Sequence, residues 1–132
     1  MVMSSKRTIL IKKLKTKAQL YARLRDCNGK SGGCNCISCR RWFPFAELDG
    51  GHFIRATHSA TAFLEDNINA QCRKCNRFED GAQHRYYINL VKKIGQERVD
   101  ALMELEYISK KWTMPELEEL LQYYNTKLSA YK

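Results

Sequence analysis

An α+β fold, mostly helical, is what this 132-residue sequence predicts, on three observations. First, apolar residues recur at helical spacing towards both ends: Leu10, Leu14, Ala18, Tyr21 and Leu24, then Leu117, Leu120, Leu121, Tyr124, Leu128 and Tyr131. Second, two short aromatic or β-like segments, Arg41–Phe45 and Gly51–Ile54, lie together in the middle and suggest a small β-hairpin. Third, Cys36-Ile-Ser-Cys39 and Cys72-Arg-Lys-Cys75 have the spacing of a tetrahedral zinc site, because each turn can aim two thiolates at one ion. The expected architecture is a zinc-stapled core of hairpin plus short helix, flanked by a basic N-terminal helix and by C-terminal helices.

The length fits one domain, 1–132, with 44% hydrophobic and 28% charged residues, which excludes a disordered chain. The core of such a chain is small, so a metal staple would help it fold. A net charge of +9 points to a polyanionic partner, nucleic acid first and an anionic membrane second. The longest apolar run, Ile9-Leu10-Ile11, is far too short to span a membrane, and the basic start lacks a secretory pattern. A cytosolic location follows, in which six Cys suggest metal ligation more than disulfides.

Taken in order, residues 1–26 form the basic segment. Residues 1–25 carry eight of the 23 Lys and Arg and no acid. A helix is expected from about Lys12 to Arg25, with Lys12, Lys13, Lys15, Lys17 and Arg23 off the apolar stripe. Such a face is either a solvated cover or a phosphate-contacting surface, and the lack of acids favours the second. Residues 26–35 are turn material. Pro44 makes the first hairpin strand an edge or irregular one. Residues 55–66 read as a loop, and a short helix should run from near Cys72 to Gly81. These elements make up a core over 34–82. Helices then follow over 83–94 and from Gln96 to about Ile108, the latter with Val99, Leu102, Met103 and Leu105 inward. Thr113-Met-Pro-Glu116 is a capping box that opens the last helix. Its stripe suits core packing, or else the seam of a homodimer.

Cys27 and Cys34 are left over from the zinc set, with Cys34 an alternative ligand. His52 follows two glycines, which would leave room for a phosphate or water. It also lies between two zinc-anchored turns, which would hold it rigidly. Asn67 and Asn76 are spaced to orient it and to hold a second metal.

Gly51-His52-Phe53, Asn67 five residues before Cys72, and Cys75-Asn76 resemble the HNH, or ββα-metal, nuclease pattern. More narrowly, the chain resembles the phage NinG, or Rap, recombination-endonuclease family. The matching text is Tyr21–Asp26, Cys36–Cys39, Gly51–Phe53, Glu65–Asn67, Gln71–Asn76 and Ile94–Asp100. The resemblance implies a treble-clef zinc knuckle around a ββα-metal site, and nuclease action on branched DNA in the host-cell cytoplasm. It implies that His52 is the general base, that Asn67 braces the His strand, and that Asn76 binds a catalytic Mg²⁺ or Mn²⁺. Many HNH proteins carry an acid or His directly before the base, whereas this chain has Gly51. The missing ligand would then be Asp49, Asp80 or water. Asn69 and Asp80-Gly81-Ala82 also differ from the pattern. His58, in the central loop, is a further candidate for contact with the scissile phosphate.

The expected function is therefore a structure-specific DNA endonuclease acting on D-loops or Holliday junctions. The alternatives are a non-catalytic zinc-stapled DNA-binding module and an HNH nuclease acting on linear duplex.

Overall fold

The computed structural model describes residues 5–131, so residues 1–4 of the basic segment and residue 132 lie outside the described residues. Helix α1 spans Lys6–Cys27 and is the strut of the molecule. It starts earlier than the periodicity predicts because Ser5 caps it, its Oγ accepting from the Thr8 N–H at 3.1 Å. It ends at Asn28, a residue tolerant of the left-handed conformation found there (φ 54°).

Two antiparallel hairpins follow. Strand β1 (Gly33–Asn35) pairs with β2 (Trp42–Pro44), and β3 (Leu48–His52) pairs with β4 (Ile68–Cys72). The expected pairing of Arg41–Phe45 with Gly51–Ile54 does not form. Trp42 stands opposite Asn35, and His52 stands opposite Ile68. A segment read as turn material thus supplies a strand, and a segment next to the second Cys pair supplies another.

The short helix expected after Cys72 is a π turn, Lys74–Phe78, followed by a 3-10 turn, Asp80–Ala82. The π turn thus ends before Gly81, as expected, and after Asp80 and Ala82, both at positive φ, α2 (Gln83–Ile94) begins. Gly95, at φ 92°, separates α2 from α3 (Gln96–Leu105). Met103, expected inward, is 44% exposed, while Val99 and Leu102 are buried. Helix α4 (Met114–Ser129) opens on the capping box. Thr113 Oγ1 accepts from Glu116 N–H at 3.2 Å, and the Glu116 carboxylate accepts from Thr113 N–H at 2.9 Å.

Three apolar clusters fill the interior. Leu14, Ala18 and Tyr21 of α1 meet Leu117 and Tyr124 of α4, so the C-terminal stripe packs within the same chain. Leu24 of α1 packs with Leu48, Ala70 and the cysteines. Ile37, Phe53 and Ile54 pack with Tyr86, Leu90, Val99 and Leu102 of α2 and α3. One helix thereby carries both the C-terminal helix and the β3–β4 sheet. No helix of the described residues is long and apolar enough to cross a membrane.

Candidate metal centre and adjoining groove

The strand pairing brings the two Cys-x-x-Cys turns together. Cys72 ends β4, and the first turn is tied to the same strand by the Ile37 N–H, which donates to Ala70 O at 2.9 Å. The four sulfurs of Cys36, Cys39, Cys72 and Cys75 all lie within 4.8 Å of one another. Cys39 Sγ and Cys72 Sγ are 3.9 Å apart. A tetrahedral ion with Zn–S bonds of ~2.3 Å sets its sulfurs roughly 3.8 Å apart, so the quartet can hold a zinc ion. The electrostatics suit thiolates at one corner. Burial pushes the Cys36 thiol up, but N–H donors from Cys72, Cys39 and Ser38 outweigh it and hold Cys36 below its ordinary value. Cys27 and Cys34 pair with each other, their sulfurs 2.7 Å apart, and neither belongs to the converging quartet, so they are bystanders to it.

His52 closes strand β3. Its Nε2 lies 3.0 Å from the carbonyl oxygen of Ala62. A carbonyl only accepts, so Nε2 carries the proton and the neutral ring keeps its lone pair on Nδ1. Burial lowers the His52 pKa, the Ala62 hydrogen bond partly opposes this, and Lys15 adds to the lowering. The loop carrying Ala62 is itself held by Asn67, which is fully buried. Asn67 Nδ2 donates to Ile54 O at 2.9 Å and Thr61 O at 3.1 Å, and its Oδ1 accepts from Ile54 N–H at 2.8 Å.

A groove runs beside β3. One part is lined by Gln19, Gly50, His52, Arg55, Asn76 and Asp80. The adjoining part shares Gln19, Gly50 and Asn76 and adds Arg23, Asp49, Arg73 and Arg77. No β4 residue lines either part, so the groove follows the unpaired edge of β3. His52, Asn76, Asp49 and Asp80 are thus brought to one surface. Asn76 Nδ2 donates to Asp49 Oδ2 at 3.0 Å, which leaves the Asn76 carbonyl oxygen without a protein donor among the described residues. Asp49 also takes a two-pronged pair from Arg77, at 2.9 and 3.0 Å. Asp80 pairs with Arg55 at 2.9 Å. Apart from the Cys quartet, no group of three or more His, Cys, Asp or Glu ligand atoms converges among the described residues.

The glycines before His52 do different work from that expected. A Cβ on Gly50 would lie 2.9 Å from backbone atoms of Gln19 in α1, and one on Gly51 would lie 1.9 Å from Gln71 Oε1. The space is filled by protein, not left for a phosphate. Alternation along β3 also turns position 51 to the face opposite His52, so a longer side chain there would meet Gln71.

Other expected residues separate. Lys15 acts on His52, and Arg23 lines the groove with its guanidinium 4.6 Å over the Phe45 ring. Lys15, Gln19 and Arg23 follow at four-residue steps and form one stripe. Lys12, Lys13 and Lys17 line a different, shallow cavity, and Lys17 donates to Asn125 of α4. His58 is not brought to the groove. Its Nδ1 lies 2.7 Å from Glu106 O, and its ring packs edge-on against Tyr107.

Sequence reasoning missed Gln19, Arg55, Arg73 and Arg77 as groove residues. The step from Lys15 to Gln19 to Arg23 was the available signal for the first. It also missed a partly buried network around Asn69 of β4, in which Asn69 Oδ1 accepts from Arg25 at 3.2 Å and from Lys93 at 2.5 Å, while Asn69 Nδ2 donates to Tyr86 Oη at 3.1 Å.

A family model described as Bacteriophage Lambda NinG protein matches residues 3–132. The chain is 33% identical over 124 residues to Protein ninG of Escherichia phage lambda, a match covering 92% of this chain and 57% of that protein. Protein ninG of Escherichia phage 933W matches at 33% over 124 residues, covering 92% and 58%. The chain therefore spans a little more than half the length of these curated relatives. No solved structure matches it.

Proposed function

We infer the function from one premise: this chain belongs to the NinG family of phage proteins. We propose that it is an HNH-type, metal-dependent DNA endonuclease that cuts branched recombination intermediates such as D-loops and Holliday junctions. In this reading the Cys quartet is a treble-clef zinc knuckle, and β3, β4 and the turn after Cys75 are the ββα-metal motif. The observation that carries it is the hydrogen bond from His52 Nε2 to Ala62 O, with the ring at the wall of a groove that also holds Asn76.

His52 takes a proton from the water that attacks the phosphodiester, because its Nδ1 lone pair is free and its lowered pKa keeps the ring neutral. Asn67 is a positioning residue: it fixes the loop whose Ala62 carbonyl orients the imidazole. Lys15, Arg23 and Arg73 supply positive charge along the groove. The donor set near His52 is hard oxygen, namely the open Asn76 carbonyl with Asp49 or Asp80, which suits Mg²⁺ or Mn²⁺ and not zinc. Such an ion, when bound, supplies charge stabilisation at the phosphate and leaving oxygen.

One observation favours a second reading, the non-catalytic zinc-stapled DNA-binding module. Both groove carboxylates are already paired, Asp49 with Arg77 and Asp80 with Arg55. The test is incubation of labelled Holliday junction, D-loop and linear duplex with Mg²⁺, with Mn²⁺ or without added metal, beside His52→Ala. We expect metal-dependent cutting of the branched substrates that His52→Ala abolishes. Binding without cutting under every condition would establish the module instead. Equal cutting of linear duplex would remove the branched-substrate assignment.

A further inference from the structure

We propose that a cavity on the other edge of the sheet is a binding site for an unpaired DNA nucleotide, with its base stacked on Trp42 and its phosphates beside Arg40 and Lys92. The cavity has a volume of about 660 Å³ and its lining includes Trp42, Arg40, Asn89, Lys92 and Lys93, one acidic residue, Asp26, and the buried Ala70 and Ile37. A nucleotide or two fits that volume.

The Trp42 indole is 62% exposed, an unusual state for so large an apolar ring. It is nevertheless held in place. A Cβ on Gly33 would lie 2.4 Å from Trp42 Cζ2, so the ring rests on the Gly33 backbone across the β1–β2 pair. Glycine is required there because the Phe43 carbonyl oxygen, also 2.4 Å away, and the ring together occupy the side-chain position. A flat, fixed ring with solvent on its outer side is a stacking platform.

Two cations around it suit phosphate, and the Asp26 carboxylate is already paired with Arg25 and Lys93. Arg40 and Lys92 have no acidic partner among the described residues. Lys93 differs, being committed to Asp26 and Asn69. Asn89 spends both amide hydrogens on Ile37 O and Ser38 O, which leaves its carbonyl oxygen as a fixed acceptor for a base edge. A duplex hides its base faces in its own stack, so only an unpaired base can use Trp42 in this way.

The location gives the site its meaning. The groove beside His52 follows the free edge of β3, whereas this cavity lies beyond β4, where Ile37 N–H bonds Ala70 O. The two sites flank the two-stranded sheet from opposite edges. A branched DNA, which offers paired and unpaired segments together, can occupy both. The inference rests on the DNA reading above, and its test reads binding and not cleavage.

The test measures the affinity of the full chain for a fluorescent thymidine tetranucleotide, for a tetranucleotide of abasic units with the same phosphates, and for a blunt duplex. We expect the wild type to prefer the base-bearing probe by roughly five-fold to 150-fold, the range of one stacked base. Trp42→Ala should erase that preference while leaving duplex affinity and zinc content unchanged, and Trp42→Phe should retain most of it. Equal binding of the two tetranucleotides by the wild type would overturn the site, as would a preference that survives Trp42→Ala. If duplex binds normally under either outcome, only this inference falls. If no probe binds, the DNA reading falls with it.

Discussion

The His52 imidazole donates from Nε2 to the Ala62 carbonyl oxygen at 3.0 Å, a bond across ten residues that engages one ring nitrogen and leaves the lone pair on the other, Nδ1. On the proposed nuclease reading, replacing His52 by Ala should lower cleavage by roughly 10²- to 10⁴-fold, the contribution of a positioned base. Because burial holds the folded pKa below its ordinary 6.5, the acid limb of the rate profile should fall below pH 6.5. The same shift makes a stability prediction. The folded state resists protonation that the unfolded chain accepts, so this contribution is full above pH 6.5 and is lost as pH falls through the folded pKa. Urea unfolding of wild type and His52→Gln from about pH 4.5 to 8 checks this. A difference between the two that stays constant with pH would contradict it.

Zinc removal should loosen the joint between the β1–β2 hairpin and β4. Cys36→Ser should abolish zinc binding and lower Tm by on the order of 10 °C or more. Metal analysis and thermal unfolding measure both. Unchanged zinc and Tm would show that the quartet is not a staple.

Asn67 should behave as a structural pin with a kinetic consequence. Asn67→Ala leaves the Ile54 N–H and two carbonyls buried without partners, at a cost of roughly 3 kcal/mol. Asn67→Asp should be worse, because a buried carboxylate would face the Ile54 and Thr61 carbonyls. Chemical denaturation orders the three proteins. A stable Asn67→Asp would refute the donor assignment.

Gly50→Ala should destabilise by about 1–3 kcal/mol, since its methyl would press on the backbone of α1 at Gln19. The effect should appear in the unfolding midpoint with the zinc content intact. A neutral substitution would mean that α1 does not press on β3 at this point.

The basic helix should divide by stripe. Neutralising Lys15 and Arg23 should reduce DNA affinity and flatten its salt dependence, by up to ~0.9 in slope for each phosphate that is no longer neutralised. Neutralising Lys13 and Lys17 should do less, because they line a different cavity. Titrations of duplex binding between low and moderate salt compare the pairs. Equal effects would show that α1 meets DNA across its whole basic surface.

Parts of this molecule were legible residue by residue. The helical repeat through Leu14, Ala18 and Tyr21 foretold α1, and Thr113 with Glu116 foretold the start of α4. The cysteine spacing foretold the quartet. Each of these depends on residues close in sequence, or on a ligand spacing that a single turn imposes. The register of β1 with β2 and of β3 with β4 was not legible, because Gly33 and Trp42, or Leu48 and Cys72, meet only when α1 and the Cys turns hold the strands in place. Nor could the sequence tell that Gly50 makes room for a helix, that Gly51 faces Gln71, or that Asn69 is spent on Arg25, Lys93 and Tyr86.

Sequence alone thus determined the presence of the four long helices, the basic N-terminal segment and the four sulfurs, because periodicity, charge and ligand spacing are local properties of a chain. Only the tertiary structure decided which nitrogen of His52 is free, which of the lysines stand near it, and that Asn76 meets Asp49 in one groove. Those outcomes follow from packing α1 across the open sheet, where hydrogen bonds and close contacts join residues far apart in the chain.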